Sequence, residues 1–160
     1  MFEITLICVG KLKEKFYKDA TDEYVKRLKA FCKINVIELP EVRLPESPSQ
    51  AEIKLGLEKE AAHICENIPK GAWFCIFTPE GQMLTSEALA DKLQHIKTTG
   101  ISSACFLIGS SFGIAESVKK VANYSLSFSP MTFPHHLARI MALEQLYRAE
   151  SIQHGAKYHK

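Results

Sequence analysis

The sequence predicts an α/β protein: a mostly parallel sheet of five to six strands with helices on both faces. Three observations lead there. Five short apolar runs rich in strand formers recur along the chain, at 4–9, 34–39, 72–77, 104–108 and 124–128. Segments with helical periodicity or helix-start signals separate them. No repeat, low-complexity stretch or linker interrupts the alternation, and 160 residues suit one domain spanning 1–160. Buried strands joined by helical crossovers run parallel, because each crossover returns the chain to the same edge of the sheet.

ITLICV (4–9) is a continuous apolar run, the mark of a strand covered on both faces. Leu12, Phe16, Ala20, Tyr24 and Leu28 then recur at four-residue spacing, with Phe31 beyond, which predicts a helix over 12–31 with one apolar stripe. INVIEL (34–39) is the second strand, and Pro40, Pro45 and Pro48 break the next segment into a loop. Ser47 before Pro48 predicts a capped helix start, running to about Asn67. AWFCIF (72–77) is the third strand and TPEGQ (78–82) a turn. Thr85-Ser86-Glu87 opens a third helix that ends near Gly100. ACFLI (104–108), the loop GSSFG (109–113), a short helix (114–122) and YSLSF (124–128) come next. SPMTFP (129–134) leads into a last helix over about 135–150.

Composition removes several classes. With 46% hydrophobic and 24% charged residues the chain is neither disordered nor collagen-like. No apolar stretch reaches the roughly 20 residues of a membrane span. The N-terminal apolar run is too short for a signal-peptide core and its cations come after it, so the expected location is cytoplasmic. Five cysteines, at 8, 32, 65, 75 and 105, form no CxxC pair and read as reduced, mostly buried thiols. Net charge is +2, but its distribution is uneven. Residues 119–160 hold six Lys and Arg against two acids, with four of the six histidines, which draws attention to the C-terminal quarter for an anionic partner.

In open α/β sheets ligands bind beyond the carboxyl ends of the strands. Three such ends are furnished for this: Phe77 into TPEG, Ile108 into GSSFG, and Phe128 into SPMTFP. The glycine spacing matches neither the dinucleotide nor the P-loop fingerprint, and no GxSxG elbow supports a hydrolase. His135 and Arg139 lie four apart on one helix face. Adjacent His135 and His136 diverge around the helix and have no acidic ligand within a turn, so no metal site is expected. The helix from 135 is apolar almost all round, through Leu137, Ile140, Met141, Leu143, Leu146 and Tyr147, which predicts cover on two sides and a homodimer. The terminal Lys157-Tyr158-His159-Lys160 suits a nucleotide base and its phosphate.

Together VGKLKEKFY (9–17), FLIGSSFG (106–113), LSFSPMTFPHHLARIMALEQLYRA (126–149) and GAKYHK (155–160) make the chain similar, over its whole length, to the RlmH family of ribosomal RNA methyltransferases in the SPOUT class. The resemblance implies a C-terminal trefoil knot, which sequence physics alone argues against because threaded chains are rare. It implies a dimeric enzyme that moves a methyl group from S-adenosylmethionine to N3 of a pseudouridine in 23S ribosomal RNA, on the ribosome. By position it assigns the cofactor to Phe77, Gly109 and the run Phe128, Ser129, Pro130, Met131, Thr132 and Phe133. His135 or His159 would handle the proton, Arg139 would stabilise charge and Tyr158 would hold the base, with the tail of one protomer reaching the other's cofactor. Thr78 stands where the family usually has an acid, and Ser110 where it often has glycine; the added Oγ would either crowd the cofactor or donate to it. The rival expectation is a non-catalytic RNA- or ribosome-binding protein on the same fold.

Overall fold

The computed structural model describes residues 1–160 and consists of five strands and five α-helices in strict alternation. These are β1 (Glu3–Val9), α1 (Lys15–Leu28), β2 (Lys33–Leu39), α2 (Gln50–Asn67) and β3 (Trp73–Met83), followed by α3 (Ser86–Thr98), β4 (Ser103–Ile108), α4 (Glu116–Val121), β5 (Tyr124–Ser127) and α5 (His135–Gln153). The sheet order is β2-β1-β4-β3-β5 and every pairing is parallel. All five carboxyl ends therefore point to one edge.

Side chains alternate across the sheet and divide the core in two. Ile4, Leu6, Cys8, Ala104, Phe106 and Ile108 pack with Leu28 of α1, Leu93 of α3 and Leu143 of α5. Ile7, Val9, Cys105 and Leu107 pack on the other face with Ile64 of α2 and Val118 of α4. Central β1 and β4 are buried on both faces, which is why their sequences show no alternation. Burial pushes the thiols of Cys8, Cys32, Cys75 and Cys105 up to about 12, so they stay protonated.

Four local expectations shift. The first helix starts at Lys15, not 12, because Leu12 is buried ahead of it and its N–H donates to Glu38. Phe16, expected on the apolar stripe, is exposed. The second helix is capped by Ser49 rather than Ser47: Ser49 Oγ accepts from the Glu52 N–H while the Glu52 carboxylate accepts from the Ser49 N–H. Ser47, just before Pro48, is kept out of helical conformation and has φ 135°. The expected turn at 78–82 is instead part of β3, which bulges: Phe77 and Gln82 both pair with Leu126 of β5. Gly81 permits this, because a Cβ there would stand 2.8 Å from backbone carbons of Ser125 and Leu126.

The largely apolar surface of the last helix finds cover on two sides within the chain, against α1 and α3. Two charged side chains interrupt its buried surface. Glu150, fully buried, accepts from Lys97 of α3 at 2.7 Å. Arg139, 1% exposed, donates to Glu38 of β2 at 2.5 Å and to the Gly10 carbonyl after β1 at 2.8 Å. Burial alone would raise the Glu38 carboxyl, but the Arg139 guanidinium and the Leu12 N–H outweigh it and hold the group below its ordinary value.

A depressed carboxylate stabilises the fold above its unfolded pKa and loses that contribution as pH falls through the folded one. Arg139→Met is therefore expected to cost about 2 kcal/mol at pH 7, under the range for a fully buried pair because Glu38 keeps some solvent contact. The variant is also expected to lose less stability than the parent below pH ~4. Urea titrations at pH 7 and pH 3.5 check both.

Candidate functional site

At the carboxyl edge of the sheet a cavity of about 870 Å³ opens between the bulge of β3 and the loops after β4 and β5. Its size is within the usual range for cofactor pockets, roughly 300–1,000 Å³. Phe77, Thr78 and Pro79 form one wall and Gly109 to Ile114 another. Phe128, Ser129 and Met131 to His135 form a third. The fourth wall is α2, through Gln50, Ile53, Lys54 and Leu57.

Each wall has a local cause. The phenyl rings of Phe77 and Phe128 stack at 4.7 Å with 11° between planes, locking the ends of adjacent β3 and β5 together. Ser127 Oγ donates to the Pro79 carbonyl and accepts from the Ser129 N–H, which ties the β5 exit to the β3 bulge. The GSSFG loop closes on itself through the Gly113 N–H to Ser110 carbonyl bond, with Gly113 at φ 100°. Glu41, just past β2, accepts from both the N–H and the hydroxyl of Ser111 and holds the loop down.

Of the eight residues assigned to the cofactor by resemblance, seven line this one cavity: Phe77, Gly109, Phe128, Ser129, Met131, Thr132 and Phe133. Pro130 does not; it is exposed. Gly109 also has a part in the loop's own packing. A Cβ there would meet the Gly113 carbonyl oxygen at 2.5 Å and Ile114 Cγ1 at 2.6 Å, so the loop itself needs the glycine.

The four residues offered for chemistry separate. His135 is in the cavity wall, its Nε2 buried without a hydrogen-bond partner and 3.9 Å from Glu41. Burial lowers its pKa, and the neighbouring His136 adds to this, so the imidazole is neutral at pH 7. Arg139, one turn on, is behind the wall in the pair with Glu38. Tyr158 and His159 line no part of the cavity. The Tyr158 hydroxyl donates to Glu144, and His159 bridges Arg148 and Glu87 at 3.1 and 2.6 Å. The rings of His135 and His136 are 4.2 Å apart and tilted by 59°, and no three His, Cys, Asp or Glu side chains come together to hold a metal.

The α2 wall and Glu41 escaped the sequence reading. Both are remote in sequence from the three segments that form the other walls, and nothing in QAEIKLGLEK or PEVR distinguishes a pocket wall from an ordinary helix and loop. Half of the six C-terminal cations are paired within the molecule. Lys119 pairs with Glu80 and Glu116, Arg139 with Glu38 and Arg148 with Glu144, leaving Lys120, Lys157 and Lys160 exposed.

Gly109→Ala tests the loop argument. It is expected to destabilise the ligand-free protein by about 1–3 kcal/mol, the usual cost of overpacking a closed site. Denaturant unfolding measures this; a glycine needed only for ligand space would leave stability unchanged.

The chain was compared with known families, proteins and structures. Residues 2–159 match the family described as "Predicted SPOUT methyltransferase". A protein of Alkaliphilus oremlandii named "Ribosomal RNA large subunit methyltransferase H" is 48% identical over 157 residues, 98% of this chain and 99% of that one. A protein of Clostridium acetobutylicum with the same name is 47% identical over the same share of each chain. Among solved structures, a probable methylase family protein from Haemophilus influenzae superposes with a TM-score of 0.53 at 13% identity, covering 99% of this chain and 70% of that one. That likeness concerns the fold alone. A match across nearly every residue, at such identity and with the parallel sheet and strand-end cavity in place, leads to one conclusion: this chain belongs to the SPOUT methyltransferase family.

Proposed function

We propose that this protein methylates N3 of a pseudouridine in 23S ribosomal RNA on the ribosome, using S-adenosylmethionine, as a cytoplasmic homodimer with a trefoil-knotted C-terminal region. The observation that supports it most is convergence: three segments chosen from sequence pattern wall one cavity of cofactor size, with His135 beside them. Relatives that match along almost their full length carry the name of a large-subunit ribosomal RNA methyltransferase.

The residues present fit such a ligand. The cavity combines aromatic rings with buried hydroxyls that have no partner, at Thr78 and Ser110. S-adenosylmethionine, when bound, supplies an electrophilic methyl group, so the protein's work is orientation and proton handling. Phe77, Phe128 and the 129–133 loop would hold the ligand. The proton on N3 must leave, and His135 offers a neutral imidazole at the cavity. Arg139 would act at one remove, by fixing the first turn of α5 on which His135 stands.

Tyr158 and His159 reach a cavity only through a second copy. They share a face of α5 with a smaller groove of about 450 Å³, lined by Tyr24, Leu84, Ile140, Met141, Glu144 and Gln145. A second protomer seated there would bring tail and cavity into one composite site.

Incubation with radiolabelled S-adenosylmethionine and unmodified ribosomes is expected to label large-subunit RNA at a pseudouridine. Cofactor binding without transfer would favour the non-catalytic RNA-binding alternative. His135→Gln is expected to lower the saturated rate about 10²-fold. With a neutral base required and its pKa lowered by burial, the parent's rate should fall only on acidification past a midpoint below about 6.5.

Sedimentation is expected to give a dimer at micromolar concentration. Ile140→Glu, placing a charge in the groove, should shift it to monomer; an unchanged dimer would move the interface elsewhere.

A further inference from the structure

Thr78 is the first residue of the β3 bulge, and no contact within the protein gives its hydroxyl a role. It is 7% exposed, it lines the cavity, and its Oγ1 is buried without a hydrogen-bond partner. Three serine hydroxyls at or beside the cavity are engaged. Ser127 Oγ bonds Pro79 and Ser129, Ser129 Oγ accepts from the Met131 N–H, and Ser111 Oγ donates to Glu41. A buried hydroxyl with no partner weakens the fold, because it has given up water for nothing. At a cavity wall the missing partner is one that arrives with the ligand.

Position says which part of the cavity it serves. Along β3, Cys75 and Phe77 face the α1/α3/α5 layer, while Phe74 and Ile76 face the α2/α4 layer. Thr78 continues the second row, so it stands on the side of Ile53, Leu57 and Ile114, opposite the Phe77–Phe128 stack. That half of the wall is apolar apart from its hydroxyls and charged rim. Ser110, 6% exposed and also without a hydrogen-bond partner, is in the same wall, but the buried Glu60 carboxyl beside it offers an alternative acceptor. Thr78 has none.

We propose that Thr78 is a ligand-recognition residue, whose hydroxyl hydrogen-bonds a polar group of the S-adenosyl ligand in the α2-side half of the cavity. A hydroxyl both donates and accepts, so it suits a ribose hydroxyl as well as the amino-acid end of the ligand. The inference rests on the proposed use of S-adenosylmethionine.

Thr78→Val keeps the shape and removes only the hydroxyl. Calorimetric titration with S-adenosylhomocysteine is expected to show affinity reduced about 10-fold, the worth of one such bond. Melting of the ligand-free variant is expected about 2–4 °C higher than the parent, since an unpaired buried hydroxyl has gone. Thr78→Ser should restore affinity. Repeating the titration with 5′-methylthioadenosine, which lacks the amino acid, assigns the contact: an equal loss places it on the nucleoside, a loss confined to S-adenosylhomocysteine on the amino-acid end. Unchanged affinity for S-adenosylhomocysteine in Thr78→Val overturns the inference. So does a melting temperature that falls together with affinity, which marks a structural hydroxyl. If the parent protein binds no S-adenosylhomocysteine, the cofactor reading itself fails and this one with it.

Discussion

One guanidinium joins the two halves of this molecule. Arg139, on the first turns of α5, reaches across the top of the sheet to the Glu38 carboxylate and the Gly10 carbonyl, at the ends of β2 and β1. The segment between β5 and α5 must therefore cross the carboxyl edge of the sheet, and it becomes a cavity wall. His135 owes its place to the same constraint, because it stands one turn before Arg139 and so faces the edge rather than solvent. Gly10 contributes by lacking a side chain: a Cβ there would stand 3.1 Å from His135 Nε2.

Around that anchor the cavity is made by interruptions of regular structure. The bulge between Phe77 and Gln82 lets β3 leave its ladder and resume it against the same residue of β5, opening space at Thr78. The glycine loop folds back on itself at Gly109 and Gly113 and is clamped from the side by Glu41. Regular strands running to their ends would have filled this edge with backbone. Polar atoms of Thr78, Ser110 and His135, all residues of the cavity wall, are left buried without a hydrogen-bond partner in the process. Each has given up water without gaining a partner inside the protein, which costs stability.

Charge is used mainly for internal geometry. Arg139, Lys97 and Arg148 each pair within the fold, and the Arg148–Glu144 pair also holds Tyr158 and His159 against α5. Arg148 has only donors, so His159 Nδ1 accepts and Nε2 carries the proton toward Glu87. The tail is thus a docked element with a defined imidazole tautomer, held about α5 rather than in its own cavity.

The sequence by itself determined the layers. Apolar runs and helical spacing are local signals, and they specify five strands and the helices between them, because periodicity arises from backbone geometry one residue at a time. FLIGSSFG and LSFSPMTFPHHLAR carried the family likeness for the same reason: their identity needs no partner to be read. Tertiary structure alone decided the rest. That Arg139 belongs to Glu38, 101 residues away, that α2 walls the cavity, and that β3 survives a bulge at TPEG all depend on which remote groups meet. A charged residue's partner is fixed by where the chain brings a complementary group once water is excluded, and no spacing within a segment encodes that. Gly109 shows the difference most plainly: the family likeness assigned it to the cofactor, and only its neighbours in space show that the loop itself needs the glycine.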